Sequence, residues 1–237
     1  MTTKLLLLVV PLTACASQVD GNNQGKVIAK MHGALTSTRS APLPSPEVEL
    51  VWIKPSQMSE VSGAEHVDAN GLISQFTLDI YSRPPDDMLD TNAFLDNLTI
   101  GLGLVVVGSQ GSDFTDMTQW RGADLDHILI YFPETPAAGG ILQAFVHAPT
   151  PPTKGFHLYD VKRLSDAEMQ QRLACVNAMP RNGMTIDWTA VFNQCGGAGN
   201  DELYPSAADM DTELNAGVIE DGAIVQLING IPHPLGI

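Results

Sequence analysis

Charged side chains are scarce in this chain, and basic ones are the scarcest. Only 16% of its 237 residues are charged, whereas about a quarter is typical of soluble globular proteins, and 12 Lys and Arg stand against 27 Asp and Glu. The formal net charge is therefore −15, and the basic residues form no cluster. Because affinity for nucleic acid depends on Lys and Arg that displace phosphate counterions, this composition excludes DNA and RNA as partners. The apolar fraction of 44% is sufficient for a packed core.

The motifs of the common enzyme classes are also missing. The sequence has no His-Glu-x-x-His, no Gly-x-Ser-x-Gly and no phosphate-binding loop, and Gly101-Leu-Gly103 lacks the third glycine of a Rossmann fingerprint. The six histidines stand singly: His32, His66, His127, His147, His157 and His233. A single histidine in an alternating strand is more often structural than catalytic, although folding could bring some of these together. No catalytic residue is predicted.

The amino terminus has the composition of a targeting segment. Lys4 precedes the apolar residues 5–12, which are long enough for the core of a signal peptide and too short to span a bilayer. The run ends in Leu-Thr-Ala-Cys15, which resembles the lipobox of bacterial lipoproteins: Leu, a small residue, Ala or Gly, then Cys. The resemblance implies cleavage before Cys15, diacylation of its sulfur and anchoring in a lipid bilayer. An ordinary secretory signal with an incidental Cys is the alternative.

A tether and then one domain are expected after the anchor. Residues 16–24 are almost entirely polar or small and predict a flexible linker. Ala16 is not the Asp that retains lipoproteins at the inner membrane of Gram-negative bacteria, so the resemblance implies the outer membrane. Acyl chains contribute about 0.8 kcal/mol per buried CH₂, so several together hold a protein permanently at a membrane. The predicted organisation is a signal peptide over residues 1–14, a lipidated tether over 15–24 and a β-sandwich domain over 25–237.

Three cysteines are few, and the lipid anchor takes one of them. Cys175 and Cys195 remain as a pair in an exported protein, where oxidation is the default. A bridge across about 20 residues would stabilise the fold by on the order of 3 kcal/mol. A metal site or a redox pair is the alternative, but there is no Cys-x-x-Cys, and the nearest histidine, His157, lies far upstream. The sequence therefore predicts a structural disulfide.

Alternating apolar residues predict a mainly β fold of short antiparallel strands. In residues 47–53, Val48, Leu50 and Trp52 alternate with acidic residues, and residues 75–81 repeat the pattern, so both predict half-buried strands. Residues 98–108 are apolar throughout, which predicts a central strand or one where glycine permits close backbone approach. Further strands are predicted over residues 26–35, 127–132, 141–147, 155–161 and 223–228. Short strands with frequent Pro and Gly turns predict an antiparallel β-sandwich of about seven to eight strands.

One helix interrupts the strands. Ser165 and Glu168 have the spacing of a capping box, in which each side chain binds a backbone amide of the other residue. Apolar residues at helical spacing follow until Pro180. The pattern predicts one short helix near residues 166–178, and the disulfide would pin its end to the glycine-rich residues 196–199.

The order of these patterns resembles the opening of prealbumin-like and carboxypeptidase-regulatory-like domains. A strand after the tether, a Pro-rich loop and a Val-x-Leu-x-Trp52 strand are followed by a Phe-x-Leu-x-Ile80 strand and Pro84-Pro85. The resemblance covers residues 25–85, and the Gly-x-Pro-x-x-Gly-Ala loop of the regulatory domains is absent. It implies a β-sandwich in a secreted bacterial lipoprotein and carries over no site residue.

The last quarter of the chain has no basic residue. After Arg181 there are eight acidic residues and no Lys or Arg. Four of the acidic residues loosely follow the spacing of a calcium-binding loop, whose oxygen ligands suit a hard cation: Asp209, Asp211, Glu213 and Glu220. Leu214 stands where such a loop has its turn glycine. The alternative is a solvated acidic face that keeps the domain soluble, and no other cofactor is predicted.

Two hypotheses of function remain. The first is a non-enzymatic envelope lipoprotein that binds another envelope protein, a glycan or a small ligand. An exposed aromatic patch that includes Trp120, Trp188 or Tyr204 would favour it. The second is an envelope hydrolase with an unmarked active site, which requires a pocket that brings at least two titratable groups within reach of each other.

Overall fold

The computed structural model describes most of the predicted domain. It covers residues 26–37, 45–54, 57–60, 65–66, 74–92, 97–138, 141–182, 185–196, 201–207, 213–221, 225–228 and 231–234. The predicted signal peptide, Cys15 and the tether lie outside the described residues, as do Asp209 and Asp211.

The described part of the chain is mainly β, which confirms the predicted class. Its strands are β1 (Ala29–Ser37), β2 (Pro46–Lys54), β3 (Gln57–Glu60), β4 (Glu65–His66), β5 (Ser74–Ile80), β6 (Asp90–Asn92), β7 (Leu98–Ser109), β8 (Gly122–Ala123), β9 (His127–Phe132), β10 (Gly155–Arg163), β11 (Arg181–Asn182), β12 (Thr185–Ile186), β13 (Asp201–Pro205), β14 (Glu213–Asp221), β15 (Val225–Ile228) and β16 (Ile231–Pro234). Its helices are α1 (Ile141–Phe145), α2 (Asp166–Ala178) and α3 (Trp188–Cys195). The number of strands exceeds the expected seven to eight because the described residues include the nine-residue β14 and several strands of two to five residues that were not predicted: β3, β4, β6, β8, β11, β12, β13 and β16.

Most of the strands belong to one large sheet. Its main path runs in the order β13, β10, β9, β7, β8, β14, β1 and β5, and β2 and β6 pair with β7 away from this path. The pairings are antiparallel except between β1 and β14, which run parallel from Lys30 opposite Glu213 to Ser37 opposite Asp221. Two further pairs, β11 with β12 and β15 with β16, form small separate sheets.

The large sheet curves back on itself around its main core. This core contains Met31 of β1 and Ile80 of β5 together with Leu129 of β9 and Phe156 of β10. In a flat sheet β5 and β10 would be about 29 Å apart, at about 4.8 Å for each of six strand spacings. Instead, backbone atoms of β10 lie within 8 Å of β14, and those of β5 lie within 8 Å of β2, so the sheet is strongly curved around the cluster.

Strand β2 is buried on both faces, which corrects the predicted half-buried strand. Trp52 faces the main core as expected, whereas Val51 and Ile53 pack into a second cluster with Phe114 and Trp120. Glu49, predicted to face solvent, is only 3% exposed. The reason is the loop after β7, which covers the face that a two-layered arrangement would leave open.

The central position of β7 agrees with its continuous apolar run. It pairs with β2, β6, β8 and β9, and its glycines allow close packing, as predicted. A Cβ atom added to Gly103 would lie 2.8 Å from the ring of Trp52, and one added to Gly108 would lie 2.8 Å from the ring of Phe114. Only hydrogen fits at these positions without displacing a buried aromatic side chain.

Local sequence signals predicted helix α2 correctly but predicted a strand where α1 lies. Helix α2 coincides with the predicted helix, because Ser165 and Glu168 form the capping box. The strand predicted over residues 141–147 is wrong, because α1 lies there. The Val146 amide donates to the Leu142 carbonyl at 2.9 Å, which is the hydrogen bond of a helical turn. Residues four apart share a face in a helix and in a strand alike, so the apolar spacing of Leu142 and Val146 did not distinguish the two.

Candidate functional site

Polar side chains gather at one end of strands β9, β10 and β13. The antiparallel register places His127 of β9 opposite Asp160 of β10, and Asp160 opposite Tyr204 of β13. Directly opposed residues project from the same face of a sheet, so these three side chains form one row across the strands. The adjacent row pairs Lys162 with Glu202. We refer to these five residues as the polar rows.

Asp124, in the connection between β8 and β9, holds His127 in place. Its side chain is buried, and its Oδ1 accepts hydrogen bonds from the backbone amides of Asp126 at 3.0 Å and of His127 at 3.1 Å. The His127 ring places Nδ1 3.0 Å from Asp124 Oδ2 and Nε2 3.7 Å from Asp160 Oδ1. Two carboxylates therefore lie on opposite sides of one imidazole ring.

The buried pair has perturbed proton affinities. Burial raises the pKa of Asp124, and the hydrogen bond and charge of His127 oppose that effect without cancelling it. For His127, burial lowers the pKa, but the hydrogen bond to Asp124 and the charges of Asp124 and Asp160 outweigh it, so the pKa lies above its ordinary value. The two carboxylates therefore stabilise the protonated imidazole: Nδ1 is within hydrogen-bond distance of Asp124, and Nε2, at 3.7 Å from Asp160, is within ion-pair distance only.

Glu202 is the centre of the second row. Lys162 Nζ donates to it at 3.2 Å, the Tyr204 hydroxyl donates at 2.7 Å, and the Arg172 guanidinium of α2 forms an ion pair with its Oε1. The side chains of Arg172 and Glu202 are only 7% and 10% exposed. Burial raises the pKa of Glu202, but the donors Tyr204 and Lys162 and the charge of Arg172 lower it below its ordinary value. The carboxylate is therefore held in its charged form.

His147 covers Tyr204 from the loop after α1. The two rings stack with centroids 4.6 Å apart and an angle of 13° between their planes. The φ of His147 is +47°, in the left-handed region that few residues other than glycine adopt. Burial lowers the pKa of His147, so its ring stays neutral in the stack.

The predicted aromatic patch is not formed by the side chains that the structure describes. Trp120 is buried, and its indole N–H donates to the Phe114 carbonyl at 2.8 Å. Tyr204 is half-buried against His147. The Trp188 backbone begins α3, and its side chain lies outside the described part of the structure.

The predicted disulfide between Cys175 and Cys195 is present, with its Cα atoms 5.7 Å apart. Its expected partner segment, the glycine-rich turn at 196–199, needs correction, because Cys195 is the last residue of α3. The bridge therefore joins two helices, α2 and α3. Asp187 caps α3 at its start by accepting a hydrogen bond from the Ala190 amide at 3.0 Å.

Gly196 ends α3 and leaves space for a guanidinium group. Its φ is +73°, the left-handed conformation typical of a glycine after a helix. A Cβ atom at this position would lie 2.8 Å from Arg172 Nη2. Glycine therefore serves both the end of α3 and the placement of Arg172.

A small polar pocket opens beside the second polar row. Its volume is about 270 Å³, and the Cys175–Cys195 bridge forms part of its wall. The polar side chains that line it come from β10, α2, α3 and β13: Lys162, Glu168, Gln171, Arg172, Gln194 and Glu202. We call it the polar pocket.

A larger cavity lies between β7, the loop after β9 and α1. Its volume is about 520 Å³. Its apolar lining is Leu89, Leu98, Pro133, Pro136, Ala137 and Leu142. Its polar lining is Asn97, Thr99, Glu134 and Thr135. We call it the apolar cavity. Sequence reasoning gave no signal for it, because the lining comes from segments far apart in the chain.

The proposed calcium ligands do not all lie together. Glu213 and Glu220 are seven residues apart in the extended strand β14, so they are separated by about 23 Å and cannot bind one ion. Glu213 instead lies 3.6 Å from His32 Nε2 on β1. Within the described ranges, no group of three or more His, Cys, Asp or Glu side chains is arranged to hold a metal ion.

The four histidines whose side chains the structure describes do not contact one another. Asp160 faces His127, not His157, and the nearest carboxylate to the His127 ring is Asp124, not its neighbour Asp126. His157 packs against Phe132 and donates through Nε2 to the Thr153 carbonyl at 2.9 Å. The side chains of His66 and His233 lie outside the described part.

Comparison with known proteins gives no relative on which to base a function. No protein-family model matches the chain, and neither the curated proteins nor the solved structures contain a match. Among the helices that the structure describes, none has the length and apolar character needed to cross a bilayer.

Proposed function

We propose that this chain is a membrane-anchored cell-envelope lipoprotein with a non-enzymatic role, whose β domain binds a small molecule in the apolar cavity. The lipobox-like Leu-Thr-Ala-Cys15 supports the anchor, and Ala16 supports the outer membrane as its location. The acylated Cys15 is the contact with the bilayer. The strongly acidic domain would be repelled by anionic headgroups, which suits a domain held away from the lipid by a tether.

We further propose that the domain is a β-sandwich. The support is the main core, in which β1 and β5 contribute side chains to the same cluster as β9 and β10. A core shared by strands from different parts of the sheet is typical of a β-sandwich, in which the inner faces of two layers oppose each other. The prealbumin-like and carboxypeptidase-regulatory-like resemblance of residues 25–85 has the same implication.

The apolar cavity is the observation that carries the binding function. Pockets for small molecules typically have volumes of about 300–1,000 Å³ and combine an apolar lining with a few polar groups that orient the ligand. The cavity, of about 520 Å³, is lined by six apolar and four polar residues of the described part of the chain. Among the residues that the structure describes, Glu134 is the one charged residue of the lining, so the favoured ligand has an apolar body and a hydrogen-bond donor or an amine.

A fluorescent probe tests the cavity directly. N-phenyl-1-naphthylamine is neutral, apolar and carries one N–H donor, so its fluorescence should rise saturably when it enters. The exposed Ala137 lines the cavity, and Ala137→Trp should fill it and weaken binding about tenfold or more. Ala174→Trp, at an exposed position of α2 outside the cavity, should bind like the unchanged chain. Absence of probe binding, or equal binding by Ala137→Trp, would contradict the proposal.

Metabolic labelling with a fatty acid tests the anchor. The unchanged chain should incorporate the label, and Cys15→Ser should not. Labelling that survives the substitution would refute lipidation at Cys15.

The buried Asp124–His127 pair favours an envelope hydrolase as the alternative. A carboxylate on Nδ1 fixes the tautomer and orientation of an imidazole in many acid–base sites. Here the other ring nitrogen faces Asp160, not a hydroxyl or a thiol, so such a hydrolase would have to activate water. Hydrolysis of a simple ester that is lost in His127→Gln and retained in His157→Gln would support it.

A further inference from the structure

The polar pocket has balanced charges in an otherwise acidic chain. Lys162 and Arg172 provide two positive charges, and Glu168 and Glu202 provide two negative ones. Glu202 is almost fully buried and already accepts from Lys162, Arg172 and Tyr204, so its role is to hold the two cations. The groups that a ligand could reach are therefore the more exposed pair, Lys162 and Glu168.

Lys162 and Glu168 face each other without closing a hydrogen bond. Lys162 Nζ lies 3.6 Å from Glu168 Oε1, and the side chains are 51% and 46% exposed. An ammonium group has three donors, and Lys162 uses one of them on its cross-strand neighbour Glu202 at 3.2 Å. Glu168 uses its other oxygen, Oε2, to accept from the amide and the hydroxyl of Ser165. One cationic and one anionic group thus stand side by side at the pocket.

The elements that carry this pair are held in position. The capping box fixes Glu168 at the start of α2, and the cross-strand pairing with Glu202 fixes Lys162 on β10. The disulfide, which also lines the pocket, joins α2 to α3. Preorganised groups lose little conformational entropy when a ligand binds.

We propose that the polar pocket binds a free amino acid, with the ligand carboxylate on Lys162 and the ligand ammonium on Glu168. A simple anion would pair with Lys162 but would lie beside the negative charge of Glu168. A simple cation would pair with Glu168 but would lie beside the positive charge of Lys162. The side-chain amides of Gln171 and Gln194 offer both donors and acceptors to the rest of the ligand. A sugar is disfavoured, because no aromatic ring lines the described pocket on which its C–H face could pack.

Calorimetric titration of the full chain with glycine, L-alanine, acetate and methylammonium tests the proposal. Acetate and methylammonium each carry one charged half of glycine, so glycine or L-alanine should bind and the two halves should bind at least about tenfold more weakly. Absence of binding by both amino acids would overturn the proposal. Equal binding of acetate would overturn it as well, because the site would then be a simple anion site.

Two variants and two controls assign the binding to this pair. Lys162→Met and Glu168→Gln should each weaken amino-acid binding about tenfold, the effect of losing one charge-assisted hydrogen bond. Gln can still close the capping box, so Glu168→Gln keeps the start of α2 intact, and circular dichroism checks both folds. Lys154→Met and Asp86→Asn, which remove exposed charges that line neither the polar pocket nor the apolar cavity, should bind normally. Unchanged binding in both pocket variants would refute the assignment.

This proposal is independent of the apolar cavity. Ala137→Trp should leave amino-acid binding unchanged, and Lys162→Met should leave binding of the naphthylamine probe unchanged. Either site can therefore fail without the other.

Discussion

Replacing Glu202 with Gln should cost about 3 kcal/mol of folding free energy, because it leaves a buried guanidinium without its carboxylate. Removal of one partner from a buried ion pair typically costs about 3–5 kcal/mol. The side chains of Arg172 and Glu202 are only 7% and 10% exposed, so this pair is buried, whereas Lys162 is half-exposed and can be solvated by water instead. The lower end of the range is therefore expected.

Urea unfolding at neutral pH with the disulfide intact measures this cost. Glu168→Gln is the matched control, since Glu168 also faces Lys162 but is well exposed and its capping box survives the change. The midpoint should fall clearly for Glu202→Gln and hardly at all for Glu168→Gln, with unchanged denaturant slopes.

A double-mutant cycle separates the ion pair from other effects of the substitution. Arg172→Met and Glu202→Gln should show a coupling free energy of about 1–3 kcal/mol, because the two side chains are in direct contact. Equal midpoints for Glu202→Gln and Glu168→Gln, or additive effects in the cycle, would refute the reasoning that burial makes Arg172–Glu202 the dominant contact of the polar rows.

Three further predictions concern the core, the covalent bridge and the histidine pair. Gly103→Ala should destabilise the fold by about 1–3 kcal/mol in urea, because its Cβ would lie 2.8 Å from the buried Trp52 ring, and an unchanged midpoint would contradict the packing argument. Cys175→Ser with Cys195→Ser should cost about 3 kcal/mol, the restriction that a 20-residue loop places on the unfolded chain, and a reducing agent should destabilise only the unchanged protein. His127→Gln should lower stability most below about pH 6.5, the unfolded-state value. Because the folded-state pKa of His127 is raised, the stabilisation by its protonated ring is complete below the unfolded-state pKa and is lost as the pH rises through the folded-state pKa. A difference in stability between the unchanged chain and His127→Gln that grows with pH would contradict this assignment.

Features that depend on neighbouring residues could be predicted from the sequence. Ser165 and Glu168 are close in the chain and define the start of α2, and the two cysteines outside the lipobox had one obvious partner each. The strands around Leu50 and Leu78 were equally visible, because alternation is a local pattern. Helix α1 was missed because the spacing of its apolar residues fits both a helix and a strand. Its Phe145 packs against Phe192 of α3, far along the chain, and no local pattern records that contact.

The candidate sites depend on pairings that no local pattern records. Glu202 meets Lys162 because β13 pairs with β10, forty positions earlier in the chain. Asp126 is the acidic residue next to His127 in the sequence, but the buried Asp124, three residues away, is the one that contacts the His127 ring. The apolar cavity likewise combines β7, the loop after β9 and α1. Register and burial, not residue type, decide which of the many acidic residues matter.

The parallel pairing of β1 with β14 has a consequence for how the protein folds. In the described sheet, the β1–β5 pair joins the main path through β14 alone, and β14 is formed by residues 213–221 near the end of the chain. Contacts between residues so far apart in sequence form slowly, and they cannot form before residues 213–221 have left the ribosome. Until then the edge of β1 that pairs with β14 stays unpaired, so the sheet is completed late in synthesis. Late folding would keep the chain unfolded enough for export if residues 1–14 act as the proposed signal peptide.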